Sequence, residues 1–101
     1  MTPVAWHPLA RRELFEASSF YDAESKGLGE IFLDAIQQGL DRLKQHPRTG
    51  QVVLRESRRY LVGRFPYSIV YRIEKDDERV RLFILAVAHQ KRRPRYWARR
   101  I

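Results

Sequence analysis

Two periods of apolar residues divide the chain. Over the first half they recur every three or four positions, and from about residue 51 they alternate every second one. PVAW (Pro3–Trp6) is short and apolar and predicts an edge strand. Pro8 suits the first turn of a helix, where its missing N–H costs nothing. That helix runs from about Pro8 to Ser25, with Leu14, Ala17 and Tyr21 on one face, Phe15 nearby, and Gly27 and Gly29 as its breakers. A second helix is marked by Leu28, Ile31, Phe32, Ala35, Ile36, Gly39, Leu40 and Leu43, a continuous stripe. Gly39 on that stripe predicts close approach to the first helix. HPRTG (His46–Gly50) ends the second helix through Pro47.

The alternating half supplies strands. QVVLR and RRYLVGRF are short candidates. YSIVYRIE (Tyr67–Glu74) is stronger and sets Tyr67, Ile69, Tyr71 and Ile73 on one face. KDDE (Lys75–Glu78) reads as a hairpin turn. RVRLFILAVA (Arg79–Ala88) begins with alternating charge and ends fully apolar, the pattern of a central strand. A final short helix is expected from Pro94. The predicted fold class is α+β: a short first strand, a helical hairpin on one face of a small antiparallel sheet of three to four further strands, and a basic C-terminal tail. Its core pairs Leu28, Ile31, Phe32, Ile36, Leu40 and Leu43 with Ile69, Tyr71, Ile73, Leu82, Ile84 and Ala86.

Composition sharpens this picture in three places. A length of 101 residues predicts one domain, 1–101. An apolar content of 44% excludes a disordered chain. Twenty Lys and Arg against twelve Asp and Glu give +8, and six of the twenty lie after Ala88 with no acid among them. The excess therefore sits in HQKRRPRYWARR (His89–Arg100), which points to an anionic partner. The chain has no cysteine, which removes disulfide and thiolate chemistry. No apolar run approaches the roughly 18 residues of a membrane helix, and none has the form of a signal peptide, so a cytoplasmic protein without a membrane partner is expected.

Candidate chemistry concentrates in two basic groups. Arg55, Arg58, Arg59 and Arg64 flank the second and third strands, interleaved with Tyr60 and Phe65. They read either as a target- or nucleic-acid-binding surface or as a charged edge that resists aggregation. The second group is Lys91, Arg92, Arg93 and Arg95 with Tyr96 and Trp97. Arginine can hold phosphate at two points, and an aromatic ring can stack on a base. His89 and Tyr96 could move protons in RNA cleavage; equally, Trp97 and Tyr96 could cover the end of the sheet. His7 and His46 each precede a proline and read as turn residues. No metal spacing and no Gly-rich phosphate loop is present, so neither metal nor cofactor is expected.

GRFPYSIVYRIEKDDERVRLFILAVAHQKRRPRYW (Gly63–Trp97) resembles the last two strands and tail of the RelE/ParE superfamily of bacterial type II toxins. The helical hairpin and short first strand resemble that architecture too, so the likeness covers nearly the whole chain. It implies a growth-arresting toxin of the bacterial cytoplasm, neutralised by a cognate antitoxin whose C-terminal segment wraps it. The superfamily holds two mechanisms: RelE-like members cleave mRNA in the ribosomal A site, and ParE-like plasmid-stabilisation proteins poison DNA gyrase. RelE-like sites carry an arginine early in the YSIVYRI strand and another just after the last strand, where this sequence has Ser68 and Gln90. Tyr96 and His89 do have counterparts among nucleases. The resemblance thus implies a ParE-like inhibitor first, a ribosome-dependent nuclease second, and leaves enzyme status open; a toxin activity lost to plain nucleic-acid binding is a third reading. It also admits a homodimer or a toxin–antitoxin heterotetramer.

Overall fold

The computed structural model describes residues 2–101. Strand β1 (Val4–Trp6) leads into helix α1 (Pro8–Glu24) and helix α2 (Leu28–Gln45), followed by strands β2 (Gln51–Leu54), β3 (Ser57–Leu61), β4 (Tyr67–Asp76) and β5 (Arg79–His89). The sheet order is β1-β5-β4-β3-β2. β1 runs parallel to β5, and every other neighbouring pair is antiparallel. The expected α+β arrangement is therefore present, with a mixed five-stranded sheet.

Local chemistry explains the helix ends. His7 caps α1: its Nδ1 accepts the Leu9 amide at 3.1 Å, and Pro8 opens the first turn. His46 caps the other end of α2, where its amide donates to Arg42 O. Both histidines are thus structural. Between the helices Gly27 takes φ 88°, a conformation that L side chains rarely adopt. Asp22 Oδ1 accepts the amides of Gly27 and Gly29, at 2.9 and 3.3 Å.

The helix–helix approach falls at Gly29, not at Gly39 as the stripe predicts. A Cβ on Gly29 would run into the Ser18 carbonyl oxygen, whereas one on Gly39 would meet the sheet, 3.1 Å from Ile69 Cδ1 and 3.2 Å from the Tyr60 ring. The centre of the α2 stripe faces β3 and β4, so its glycine makes room for a tyrosine ring. Phe32, Ile36, Leu40 and Leu43 are buried as expected. Ile31, at the stripe's margin, is 42% exposed instead.

These α2 residues pack on Ile69, Tyr71, Leu82, Ile84 and Val87. Each large apolar side chain buried there contributes about 1.5–3 kcal/mol of transfer free energy. Tyr21, Phe32, Phe65 and Tyr67 close one end, with ring centroids 5.0–5.3 Å apart for Tyr21–Phe32, Tyr21–Phe65, Phe32–Phe65 and Phe32–Tyr67. Simple alternation along β5 predicts Ala86 in the same core, and here the structure differs. Val70 pairs with Ala86 but Tyr71 pairs with Ile84, so Leu85 is an extra residue. This bulge shifts the phase: Leu85 and Ala86 both join a second cluster, and Val87 returns to the first.

The tail differs from expectation as well. No helix starts at Pro94; residues 94–97 form turns with Arg95 at φ 59°, and only a single 3-10 turn follows, Ala98–Arg100. Its bonds are short-range, Ala98 N–H to Arg95 O and Arg100 N–H to Trp97 O, each 2.9 Å.

Candidate functional site

The helices cover one face of the sheet, and the tail folds back over part of the other. Its anchor is Trp97, 5% exposed, packed with Val70, Leu85 and Ala86 and flanked by Val53, Leu54, Phe83, Ala88 and Tyr96. The β5 bulge makes that seat, because it turns two successive side chains toward the tryptophan. The stretch that ends the apolar strand is thus a strap, apolar underneath and basic above.

Between strap and strands lies an open hollow of about 600 Å³. Arg59 of β3 stands on one side and Arg92, Arg93 and Arg95 of the strap on the other. Ser68, Val70, Ala88 and His89 line it from β4 and β5, Leu61 and Val52 from the outer strands, and no carboxylate does. The cross-strand register brings these together: Arg59 sits opposite Val70, Leu61 opposite Ser68, and Ser68 opposite Ala88. Arg95 is fixed by its own guanidinium, which donates to Val53 O at 3.2 Å.

Of the residues singled out in the sequence, Arg59, His89, Arg92, Arg93, Arg95 and Tyr96 meet here. Arg58, Arg64 and Lys91 do not. Arg58 neighbours Arg59 in the strand, so its side chain takes the opposite face, where its guanidinium donates to Gly50 O at 2.8 Å and Arg48 O at 3.2 Å. Arg64 lines a separate groove against α2 with Asp34, Gln38 and Arg42. Lys91 lies outside the hollow, with its amide donating to His89.

Proton chemistry is poorly served. His89 Nδ1 accepts that Lys91 amide at 3.0 Å, so this nitrogen is engaged by the backbone. Its ring also packs edge-on against Tyr67, with centroids 5.0 Å apart. The Tyr96 hydroxyl is enclosed beside the Glu13 carboxylate, with no partner at hydrogen-bonding geometry. Burial first, and then the neighbouring Glu13 carboxylate, push this phenol well above its ordinary pKa, although Arg92 and Arg100 pull the other way. Among the described residues no group of His, Cys, Asp or Glu could hold a metal ion. The arrangement offers concentrated positive charge around a histidine engaged by the backbone and an enclosed tyrosine hydroxyl.

Sequence reading missed one participant, Glu13 of α1. It grips Arg100 at 2.9 Å and accepts the Val87 amide at 3.1 Å. Its contact with residue 100 spans nearly the whole chain, and no local pattern signals it.

A short strand, a helical hairpin on a five-stranded sheet and a basic strap define the class: small single-sheet α+β proteins. Residues 4–94 match the family described as ParE toxin of type II toxin-antitoxin system, parDE, and the chain belongs to that family. Its fold is similar to a chain of a solved structure described as the chromosomal ParDE TA system from P. aeruginosa. The TM-score is 0.62 at 18% identity, over 88% of this chain and 96% of that one. No curated protein sequence matches it. Among the described residues no helix is long and apolar enough to cross a membrane.

Proposed function

We propose that this toxin arrests growth by binding DNA gyrase rather than by cutting RNA, and that a cognate antitoxin holds it inactive in the bacterial cytoplasm. The observation that carries the reading is the hollow: four arginines, no carboxylate, a histidine whose Nδ1 is occupied and a tyrosine hydroxyl that is enclosed. Such a surface docks an acidic partner and steers its approach, which requires charge but no proton transfer. Membership of the ParE toxin family supports the same choice. An acidic antitoxin segment lying over Arg59 and the strap would block the target by occupancy. The chain acts as one domain and uses neither metal nor cofactor.

His89 and Tyr96 both line the hollow, and this keeps the ribosome-dependent mRNA nuclease as the second reading. Inducible expression without antitoxin, with pulse-labelling of DNA and protein synthesis, separates the two. DNA synthesis is expected to fall first, and purified toxin is expected to inhibit gyrase supercoiling in vitro. Earlier loss of translation, with mRNA cut at the ribosomal A site, would overturn the proposal. Binding to naked nucleic acid with no growth arrest would instead mark a toxin whose activity has been lost.

A further inference from the structure

One edge of β5 is left open where β1 ends. β1 covers it only to Ile84, whose carbonyl accepts the His7 amide at 2.8 Å. Beyond that point side chains replace a neighbouring strand. Val87 N–H donates to Glu13 Oε1 at 3.1 Å, and Leu85 O accepts from Arg100 Nη1 at 3.0 Å. The two side chains join each other at two points, both 2.9 Å, and are 12% and 11% exposed. The Arg100 guanidinium also lies 5.1 Å from the centre of the Tyr96 ring, and that of Arg92 lies 3.9 Å from the same centre. Contacts therefore run without a break from helix α1, through the end of the chain, to an arginine of the hollow.

The strap needs such an anchor. Arg92, Arg93 and Arg95 are all exposed and repel one another. Among the described residues Glu13 is the only acid paired with the tail. We propose that Glu13 is the positioning residue of the basic hollow. Through Arg100 and Tyr96 it holds Arg92 and its neighbours in the place that receives an acidic polypeptide. The inference rests on the reading of the hollow as a docking surface for an acidic partner.

Charge alone and positioning predict opposite signs, which makes the idea testable. Glu13→Gln removes a negative charge from the neighbourhood of a cationic site, so simple electrostatics expects an acidic ligand to bind more tightly. Positioning expects weaker binding. The probe is a short polyglutamate peptide titrated into the full-length protein over a range of salt. Wild type is expected to bind it, Arg92→Ala to weaken it, and Glu13→Gln to weaken it about ten-fold, the scale of one charge-assisted hydrogen bond. Adding Arg92→Ala to Glu13→Gln is expected to cost little more, because both act through one contact. Arg100→Lys, which conserves net charge and one contact, is expected to behave like Glu13→Gln and replaces it should that variant not fold.

Amide exchange supplies a reading independent of the ligand. Val87 and the tail amides of Glu13→Gln are expected to exchange faster than in wild type, with α2 unchanged. Unchanged or tighter peptide binding by Glu13→Gln, or wild-type protection at Val87 and Trp97, would overturn the proposal. Failure of wild type to bind polyglutamate would instead sink the docking reading, and amide exchange would then decide the anchor alone.

Discussion

The Tyr71 hydroxyl accepts the Gly50 amide at 2.9 Å and donates to Pro47 O at 2.5 Å. A buried residue of the central strand β4 thereby fixes the link from α2 into the edge strand β2. Both backbone groups would lose their partner in Tyr71→Phe, which keeps the ring. An unmet buried group costs about 1–3 kcal/mol, so denaturant titration is expected to show a loss of that size. A midpoint equal to wild type would mean that water replaces the hydroxyl.

Two glycines of α2 are expected to answer alanine differently. At Gly29 the new methyl would meet backbone, the Ser18 carbonyl oxygen, which cannot swing aside. Overpacking of this kind costs about 1–3 kcal/mol. At Gly39 the nearest atoms are the end of Ile69 and the edge of the Tyr60 ring, at 3.1 and 3.2 Å. There a gain of about 1 kcal/mol in helix propensity offsets the crowding. Thermal melts should place Gly29→Ala well below wild type and Gly39→Ala close to it; the reverse order would refute this account of the helix contact.

Both sheet faces carry core, so truncation should hurt on each. Phe32→Ala and Ile84→Ala are expected to cost roughly 2–5 kcal/mol on the helix side. Trp97→Ala is expected to cost about 3–5 kcal/mol on the other, although it lies in a run rich in arginine. Stability of Trp97→Ala within error of wild type would show that the strap does not seal the second face.

Glu74 lies between Arg72 and Arg81, each 2.6 Å away. Burial alone would raise its carboxyl, but hydrogen bonds and charge from the two arginines hold it below the ordinary value. A depressed carboxylate stabilises the fold above its unfolded pKa, about 4.3, and that contribution is lost as pH falls through the folded value. Glu74→Gln is therefore expected to be less stable than wild type at pH 7, with the two melting curves converging below about pH 4. Curves that stay parallel down to pH 2 would remove Glu74 from the acid response.

Tyr96→Phe removes an enclosed hydroxyl that lies beside the Glu13 carboxylate but outside hydrogen-bonding geometry, so stability should change little. The ring that meets Arg92 and Arg100 remains. Growth arrest is expected to persist in this variant and in His89→Gln, and to fall when Arg92 and Arg93 both become Ala. A loss of toxicity by 10²–10⁴-fold in Tyr96→Phe with binding intact, the scale of general acid–base catalysis, would favour the nuclease.

The sequence by itself determined what depends on short-range periodicity and chain stiffness. The α2 stripe, the proline at the start of α1, the hairpin around Asp77 and the long β4 and β5 were all legible, because each is encoded within one continuous short segment of chain. The clustering of charge after Ala88 was equally plain, and Arg59, Arg92, Arg93 and Arg95 do meet around one hollow. Only the tertiary structure decided which neighbours part company. Pleating separates Arg58 from Arg59, and one extra residue at Leu85 moves Ala86 into the second core and opens a seat for Trp97. The partnership of Glu13 with Arg100 lay wholly beyond local reading. This half-buried pair, so distant in sequence, meets where β1 stops at Trp6 and leaves backbone groups of β5 that its side chains satisfy.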